Sequence, residues 1–491
     1  MILFKKSVKR LHIQTYGCQM NEHDTLRMSD LLARRGYTRT DSAADADVII
    51  INTCSVREKP VQKLLSDLGR LRCLKTERPG LVIGVTGCIA QQEGERLLKR
   101  VPHLDLVVGP DNLREIADVV ERIRETGGRF ARAKFLPRAE SISRFEYDSW
   151  AVEAQGEVSR LVPIMKGCDK VCAFCIVPYV RGPEVSRPSE DIVAEIARLA
   201  AAGVREVTLV GQNVNSFGKD RVRDGADEVD FAGLLEAVDR VPGIERIRFT
   251  TSHPEDLSDR LIDALARLDN VCEHLHLPVQ SGSDRVLERM RRGYTRSEYL
   301  GRVAKLRERV PCIALTTDII VGHPGETDAD FDATLSLLDE VRFANIFSFC
   351  YSPRPRTASA RMTETVDRAT AARRLAIVQS LQRELTWSAH RALVGNEVEV
   401  LVEGPSRRGG HEMMGRTRSN VIVNFVGELG AERGQLVSVR VAVASPNTLS
   451  GVLVSCEEPD GERESLRGRD GATPAWPLKV LSDAEASCQA F

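Results

Sequence analysis

Short apolar runs alternate with amphipathic, helix-favouring stretches over the first 130 residues. The apolar runs cover residues 12–17, 48–53 and 81–87, and residues 21–35 have the spacing of a helix. Continuous apolar strands separated by helices are typical of a parallel sheet covered on both faces. We therefore predict an N-terminal parallel α/β domain over residues 8–130, followed by a linker over 131–160, where the pattern is lost.

The alternation resumes over residues 161–385 with six candidate strands. These strands are predicted to end near Gly167, Gln212, Ser252, Gln280, Gly322 and Tyr351. Helical patterns at 188–202, 284–310 and 328–341 separate some of them. Six βα units favour a partial (β/α)6 barrel over a complete eight-stranded one.

Residues 386–456 change to alternating, β-branched runs with glycine-rich turns, at 396–402, 420–426 and 436–444. This pattern predicts a small C-terminal β-barrel. Residues 457–491 are polar and rich in Gly and Pro, which predicts a disordered tail.

The composition excludes several classes of protein. The net charge is −1, so contact with a nucleic acid would have to come from local basic patches. No secretory signal is present and no run approaches the ~20 apolar residues of a membrane span, which predicts a cytoplasmic protein without membrane contact. Cytosolic thiols are kept reduced, so the twelve cysteines are more consistent with metal binding than with disulfides.

Three of these cysteines form a compact group, Cys168, Cys172 and Cys175, after the first predicted barrel strand. Thiolates select iron–sulfur clusters or zinc. A structural zinc site needs a fourth protein ligand, and no Cys or His follows closely enough to supply it. Three cysteines leave one iron of a cubane cluster open, and a (β/α) barrel places its chemistry at this end of the strands. We therefore expect a catalytic cluster rather than a structural zinc site or incidental thiols.

Three further cysteines are spread along the N-terminal domain. Cys18, Cys54 and Cys88 each follow an apolar strand directly, at intervals of about one βα unit. The carboxyl ends of parallel strands meet at one edge of a sheet, so the three thiols can converge. The alternative is three small buried core residues, since free Cys is often buried. The repeated placement favours a second cluster.

Nine motifs in order resemble the methylthiotransferase family of the radical S-adenosylmethionine enzymes. They are QTYGCQMN, NTCSVREK, GCIAQ, GCDKVCAFCIVPYVRG, GQNVNSFG, TSHP, HLPVQSGS, DIIVGHPGET and FSFCYSPRPRT. With a C-terminal barrel that resembles an RNA-binding TRAM domain, the resemblance covers residues 8–455. The motif around Tyr16 is similar to that of the group acting on N6-dimethylallyladenosine in tRNA. His323 departs from the pattern, because Phe is usual there.

The resemblance implies a transferase that places a methylthio group on carbon 2 of N6-dimethylallyladenosine at position 37 of tRNA. It implies two [4Fe–4S] clusters, on Cys168, Cys172 and Cys175 and on Cys18, Cys54 and Cys88, together with S-adenosyl-L-methionine. A donor such as flavodoxin or ferredoxin would supply electrons to a monomeric enzyme. The alternatives are a methylthiotransferase for threonylcarbamoyladenosine or for a ribosomal protein aspartate, and an iron–sulfur sensor or RNA-binding protein without turnover.

Polar residues at other predicted strand ends are candidates for binding the cofactor, since their amides, hydroxyl and carboxylate can bond a ribose or an amino-acid group. These residues are Gln212, Asn213, Gln280, Ser281 and Glu326. Alternatively, they serve only the turns in which they lie. For RNA, the densest basic run is 285–309, which includes Tyr294 and Tyr299 as possible base-stacking residues. Arg407, Arg408, Arg416 and Arg418 are predicted to form a second basic edge.

Overall fold

The computed structural model describes residues 9–55, 58–137, 140–141, 156–225, 229–409, 411–426 and 430–456. The predicted tail at 457–491, and residues 138–139 and 142–155 of the predicted linker, lie outside the described residues. The chain divides into two compact units. The first contains the described residues up to Gly243 with Phe249–Thr251 and Ser352–Met362, and the second contains Ile244–Arg248, Ser252–Tyr351 and the described residues from Thr363.

A six-stranded parallel sheet forms the N-terminal part of the first unit, in the order β2-β1-β3-β4-β5-β6. Its strands are β1 Lys9–Tyr16, β2 Tyr37–Arg39, β3 Val48–Thr53, β4 Val82–Thr86, β5 Leu106–Val108 and β6 Phe130–Arg132. The three apolar runs in the sequence predicted β1, β3 and β4. The other strands have three residues each, which is too short for a clear periodic signal.

Helices cover both faces of this sheet. They are Gln19–Ala33, Glu58–Glu77, Cys88–Glu93, Glu95–Arg100 and Ile116–Thr126. On one face Ile50 packs in the same core as Met28 and Leu32. Ile49 on the other face packs in the same core as Leu64. Because both faces are buried, the strand register is strongly specified and the strand ends are held in fixed places.

The remainder of the first unit contains β7 Ser159–Pro163, β8 Met165–Lys166, β9 Val185–Ser186 and β10 Glu206–Val210. Its helices are Val177–Arg181, Ser189–Ala201, Lys219–Arg223 and Phe231–Asp239. Strands β7 and β10 pair in parallel, whereas β8 and β9 form a short antiparallel pair. The loop that carries Cys168, Cys172 and Cys175 leaves β8 and leads into Val177–Arg181.

The second unit contains a three-stranded parallel sheet in the order β12-β13-β14. Residues 246–248 of strand β11 (Arg246–Phe249) belong to this unit. The sheet consists of β12 His274–His276, β13 Ala314–Val321 and β14 Asn345–Cys350. The helices are Asp259–Arg267, Asp284–Arg289, Arg296–Arg309, Asp328–Val341 and Arg368–Arg391. The predicted helix 284–310 is therefore two helices. Arg291 and Gly293 interrupt it because both have positive φ angles, of 56° and 73°.

A closed five-stranded barrel completes the second unit, in the order β15-β16-β17-β19-β18. Its strands are β15 Glu397–Pro405, β16 Glu412–Arg416, β17 Ile422–Val426, β18 Leu436–Ala444 and β19 Thr448–Cys456. Val400, Val423, Phe425 and Val439 fill its interior. The sequence predicted the barrel but only three of its strands, because β16 and β19 carry glycine and polar residues that obscure the alternation.

Arginines connect this barrel to the preceding part of the same unit. Arg246 and Arg248 donate to the backbone carbonyls of Arg416, Thr417 and Arg418. Arg418 in turn pairs with Glu273 at 2.7 Å, and Arg416 pairs with Glu403 at 2.9 Å. The contribution of Arg416 and Arg418 to a basic edge for RNA stays a prediction. Both guanidinium groups have carboxylate partners within the unit.

No helix among the described residues is long and apolar enough to cross a membrane.

Candidate functional site

The structure brings Cys18, Cys54 and Cys88 together. They follow β1, β3 and β4, which are neighbours in the sheet, and the thiol of Cys54 is hydrogen-bonded to those of Cys18 and Cys88. The backbone is closely packed here. A Cβ atom at Gly87, where φ is +83°, would lie 2.5 Å from Asn52 Oδ1 and 2.6 Å from the Thr53 carbonyl oxygen. Only glycine allows this approach.

These hydrogen bonds distribute negative charge among the three thiols. Hydrogen bonding from Cys54 lowers the pKa of Cys18 and of Cys88, whereas the same contacts raise the pKa of Cys54. Cys18 is also the N-cap residue of the helix Gln19–Ala33, where the helix dipole favours a thiolate. Thiolates are the form that binds a metal. The donor set therefore suits an iron–sulfur cluster.

A buried arginine lies against this thiol group. Arg181 donates from Nε to Cys88 Sγ at 3.3 Å and from a terminal nitrogen to Asp24 at 2.8 Å. Burial alone would lower the pKa of Arg181, but the charges of Asp24, Cys88 and Cys18 raise it. The guanidinium thus stays charged and can stabilise a thiolate or an anionic cluster. Sequence reasoning missed this role, although Arg181 lies six residues after Cys175.

An amide pair supports the same strand ends. Asn21 donates to Asn52 at 3.0 Å, and Asn52 donates back to the Asn21 carbonyl at 2.7 Å. Asn21 Oδ1 also lies 3.5 Å from Cys18 Sγ. Both residues are buried, so these bonds fix the end of β3 against the beginning of the first helix.

The second cysteine group, Cys168, Cys172 and Cys175, lies in a loop held by backbone hydrogen bonds. Cys168 N donates to the Gly182 carbonyl and Cys175 N donates to the Cys172 carbonyl, both at 3.1 Å. Burial raises the pKa of Cys168 to about 12, and the nearby Cys175 and Glu184 act in the same direction. A metal that binds here must displace the thiol proton.

Two of the predicted cofactor residues lie beside this loop. Gln212 accepts a hydrogen bond from Gly167 N at 2.5 Å, and Asn213 donates to Glu184 at 3.1 Å. Burial raises the pKa of Glu184, while the bond from Asn213 opposes the change. Glu184 is a polar residue of the site that sequence reasoning did not single out.

The other predicted cofactor residues belong to the second unit. Gln280 has a φ of 77°, unusual for a residue other than glycine, and its backbone bonds to Asp318 and Ile320. Ser281 Oγ is 3.4 Å from Thr334 Oγ1 and accepts from Ser283 N at 3.2 Å. The unusual φ occurs four residues after β12, where Gln280 forms an isolated parallel bridge with Ile319.

Glu326 forms a buried ion pair. Its carboxylate accepts from Arg374 at 2.7 Å and from Gly322 N at 2.5 Å. The side chains of Arg374 and Glu326 are only 6% and 1% exposed. These bonds fix the turn that follows β13.

Replacing Arg374 with Met is expected to destabilise the protein by about 3–5 kcal/mol, because it leaves the Glu326 carboxylate buried without its counter-charge. Urea denaturation followed by circular dichroism measures the change. The exposed neighbour Arg373 provides the control, and Arg373→Met should cost no more than about 0.5 kcal/mol. Equal losses in the two variants would contradict the importance of the pair.

His323 occupies the place where the resemblance has Phe. Its ring is buried and meets the ring of Tyr351 edge to face, with centroids 5.3 Å apart. Burial lowers the pKa of His323 to about 4, so the ring is neutral at pH 7. A neutral aromatic ring packed in this way can replace a phenyl ring.

Several cations of the basic run 285–309 are ion-paired, so its contact with RNA stays a prediction. Arg285 pairs with Asp330, Arg296 with Glu340 and Arg309 with Asp263. Tyr294 and Tyr299 are buried, and their hydroxyls donate to backbone carbonyls of residues 277–279. The prediction that these rings stack on bases is therefore wrong. The sequence pattern of residues 285–309 did not reveal the distant residues that contact these arginines and tyrosines.

Within the described ranges, no group of three or more His, Cys, Asp or Glu side chains has the arrangement of a formed metal site. The free thiols of Cys18 and Cys88 are each hydrogen-bonded to the thiol of Cys54. Their convergence and the soft character of the donors nevertheless fit a cluster held by three thiolates.

Three family models match successive parts of the chain. Residues 10–109 match the model described as uncharacterized protein family UPF0004, and residues 391–454 match the TRAM domain. Residues 162–338 match the radical SAM superfamily. The fold and the cysteine loop thus place the chain in the class of radical S-adenosylmethionine proteins, which use S-adenosylmethionine and a [4Fe–4S] cluster.

Curated relatives identify the family within this class. The tRNA-2-methylthio-N(6)-dimethylallyladenosine synthase of Geobacter metallireducens is 51% identical over 445 residues, which are 91% of this chain and 98% of the relative. The protein of the same name from Myxococcus xanthus is 49% identical over 92% of this chain and 96% of its own length. The chain belongs to the tRNA-2-methylthio-N(6)-dimethylallyladenosine synthase family.

Among solved structures, the radical S-adenosylmethionine methyltransferase TsrM of Kitasatospora setae has a similar fold. Its TM-score is 0.52 at 15% sequence identity, and the match covers 72% of this chain and 77% of that protein. That structure contains cobalamin and a [4Fe–4S] cluster. At this identity the similarity concerns the fold alone.

Proposed function

We propose that this protein adds a methylthio group to carbon 2 of N6-dimethylallyladenosine at position 37 of tRNA, next to the anticodon. The observation that carries this proposal is the 51% identity to a synthase of that name over 91% of the chain. Methylthiotransferases for threonylcarbamoyladenosine or a ribosomal protein aspartate are not favoured, nor is a protein without turnover. Several relatives at about 50% identity share the one name.

Six cysteines would hold two [4Fe–4S] clusters in this proposal. Residues 8–130 would contribute Cys18, Cys54 and Cys88, and residues 161–385 would contribute Cys168, Cys172 and Cys175. The contacts among the first three thiols support one site, and the short loop that carries the other three supports the second. When bound, the cluster on Cys168, Cys172 and Cys175 would supply the electron for reductive cleavage of S-adenosylmethionine. The cluster on Cys18, Cys54 and Cys88 would hold the sulfur to be transferred, and a second S-adenosylmethionine would supply its methyl group.

Polar residues at the predicted strand ends would bind the cofactor in this proposal. Gln212, Asn213, Gln280 and Ser281 would bond the polar groups of S-adenosylmethionine, and Glu326 would contribute by fixing the turn after β13. The guanidinium of Arg181, which donates to Cys88 Sγ, would stabilise the negative charge of the thiolates. The segment 386–456 would contact the tRNA body. We propose a monomeric cytoplasmic enzyme that receives electrons from a flavodoxin or a ferredoxin.

The prenyl group of the substrate should control the rate. Each buried CH₂ contributes about 0.8 kcal/mol, so a group of about five carbons can add several kcal/mol of binding. Such remote binding energy can position carbon 2 for reaction. We expect tRNA with the dimethylallyl group to be methylthiolated at least ~100-fold faster, in kcat/KM, than the same tRNA without it.

The measurement uses two matched tRNAs and a count of the methylthio nucleoside formed from each, at subsaturating concentration. Salt provides an internal control, because phosphate contacts should weaken for both tRNAs as ionic strength rises. Equal rates on both tRNAs would remove the reason for assigning the prenylated substrate.

A further inference from the structure

One face of the sheet β12-β13-β14 carries side chains that the proposed cluster sites do not use. Leu275, Leu315 and Ile319 are directed into the core of the second unit and are fully buried. Residues on the opposite face alternate with them, as the strand geometry requires. In register, Asp318 lies beside Phe347 and His276 beside Thr316.

Phe347 is an exposed aromatic residue on this face, with 45% of its surface accessible. The ring of His276 approaches it edge to face, with centroids 5.7 Å apart and an interplanar angle of 76°. The side chain of Asp318 is 28% exposed beside them. A flat apolar ring and a carboxylate, both partly open to solvent, therefore lie together with an imidazole whose side chain is only 10% exposed.

The polar atoms of this group retain capacity to bind a partner. His276 Nδ1 lies 3.0 Å from Thr316 Oγ1. Its Nε2 lies 3.7 Å from Asp318 Oδ1, which is beyond hydrogen-bond distance. If the threonine hydroxyl donates to Nδ1, the Nε2 atom carries a proton that it can donate. The Asp318 carboxylate can only accept.

We propose that His276, Asp318 and Phe347 bind the adenine ring of the tRNA substrate, an inference that rests on the proposed function. The edge of N6-dimethylallyladenosine offers one N6–H donor beside the N1 acceptor. Asp318 accepts from N6–H, His276 Nε2–H donates to N1, and Phe347 stacks on the ring. Enzymes that act on a base in RNA recognise it by such edge bonds and by stacking.

The test compares Phe347→Ala with the unaltered protein, both reconstituted anaerobically with iron and sulfide. Fluorescence anisotropy measures their affinity for an anticodon stem-loop that carries N6-dimethylallyladenosine, and for the same RNA with an abasic site there. Loss of base stacking should weaken binding of the prenylated RNA about 5- to 150-fold and leave binding of the abasic RNA unchanged.

A second variant, Asp318→Ala, should weaken binding of the prenylated RNA about tenfold and also leave binding of the abasic RNA unchanged. Ile377→Ala, at an exposed residue of the same unit, is the control and should change neither.

S-adenosylmethionine also contains adenine, so equilibrium dialysis measures its affinity for the same variants. We expect no change. Weaker cofactor binding with normal RNA binding would assign this face to the cofactor and overturn the inference, as would unchanged affinities throughout. If the unaltered protein does not prefer the prenylated to the abasic RNA, the proposed function itself fails.

Discussion

Replacing Cys168, Cys172 and Cys175 with alanine should leave reconstituted protein with about half of its iron and no formation of 5′-deoxyadenosine, because one of two three-thiolate sites is lost. The remaining site, on Cys18, Cys54 and Cys88, belongs to the same unit but to a separate sheet edge. Iron analysis and chromatography of the S-adenosylmethionine products measure the two effects.

Cys73→Ala is the matched control for this variant. Cys73 is exposed on the helix Glu58–Glu77 and does not follow a strand. The Cys73→Ala variant should retain the full iron content and cleave S-adenosylmethionine normally. Continued reductive cleavage of S-adenosylmethionine by the triple variant would mean that the catalytic cysteines have been assigned incorrectly.

The corresponding triple alanine variant at Cys18, Cys54 and Cys88 should separate cleavage from transfer. The other three cysteines remain, so 5′-deoxyadenosine should still form. No methylthio nucleoside should appear, because the site proposed to supply the sulfur is absent. We expect complete loss of the methylthio nucleoside and continued formation of 5′-deoxyadenosine.

The fold itself needs a control in this variant, since Cys54 and Cys88 are buried. Serine at the exposed Cys18 alone removes one proposed ligand with little change of volume. This single variant should retain the circular dichroism of the protein and also fail to transfer sulfur. Methylthio product from both variants would contradict a role for these cysteines.

The periodic pattern of the sequence was sufficient to place the cysteines. Strands β1, β3 and β4 are apolar throughout, so their ends could be located and the thiols of Cys18, Cys54 and Cys88 expected to converge. The structure brings these three thiols together. The motif at Cys168 could be located without any structure, since its three cysteines are close in sequence.

Interactions between distant residues could not be predicted in the same way. Asp24 and Arg181 are separated by 157 positions, and no local periodicity connects them. The arginines at 285–309 looked like one basic patch, yet carboxylates such as Asp330 and Glu340 neutralise several of them. His276, Asp318 and Phe347 come together only through the register of three strands.

The nucleoside product gives the most direct evidence for methylthio transfer to carbon 2 of N6-dimethylallyladenosine. Reconstituted protein is incubated with S-adenosylmethionine, a one-electron reductant and a defined tRNA that carries N6-dimethylallyladenosine, and the digested tRNA is analysed by mass spectrometry. We expect 2-methylthio-N6-dimethylallyladenosine, formed only when both the cofactor and the reductant are present. Formation of 5′-deoxyadenosine with the tRNA left unchanged would contradict this expectation.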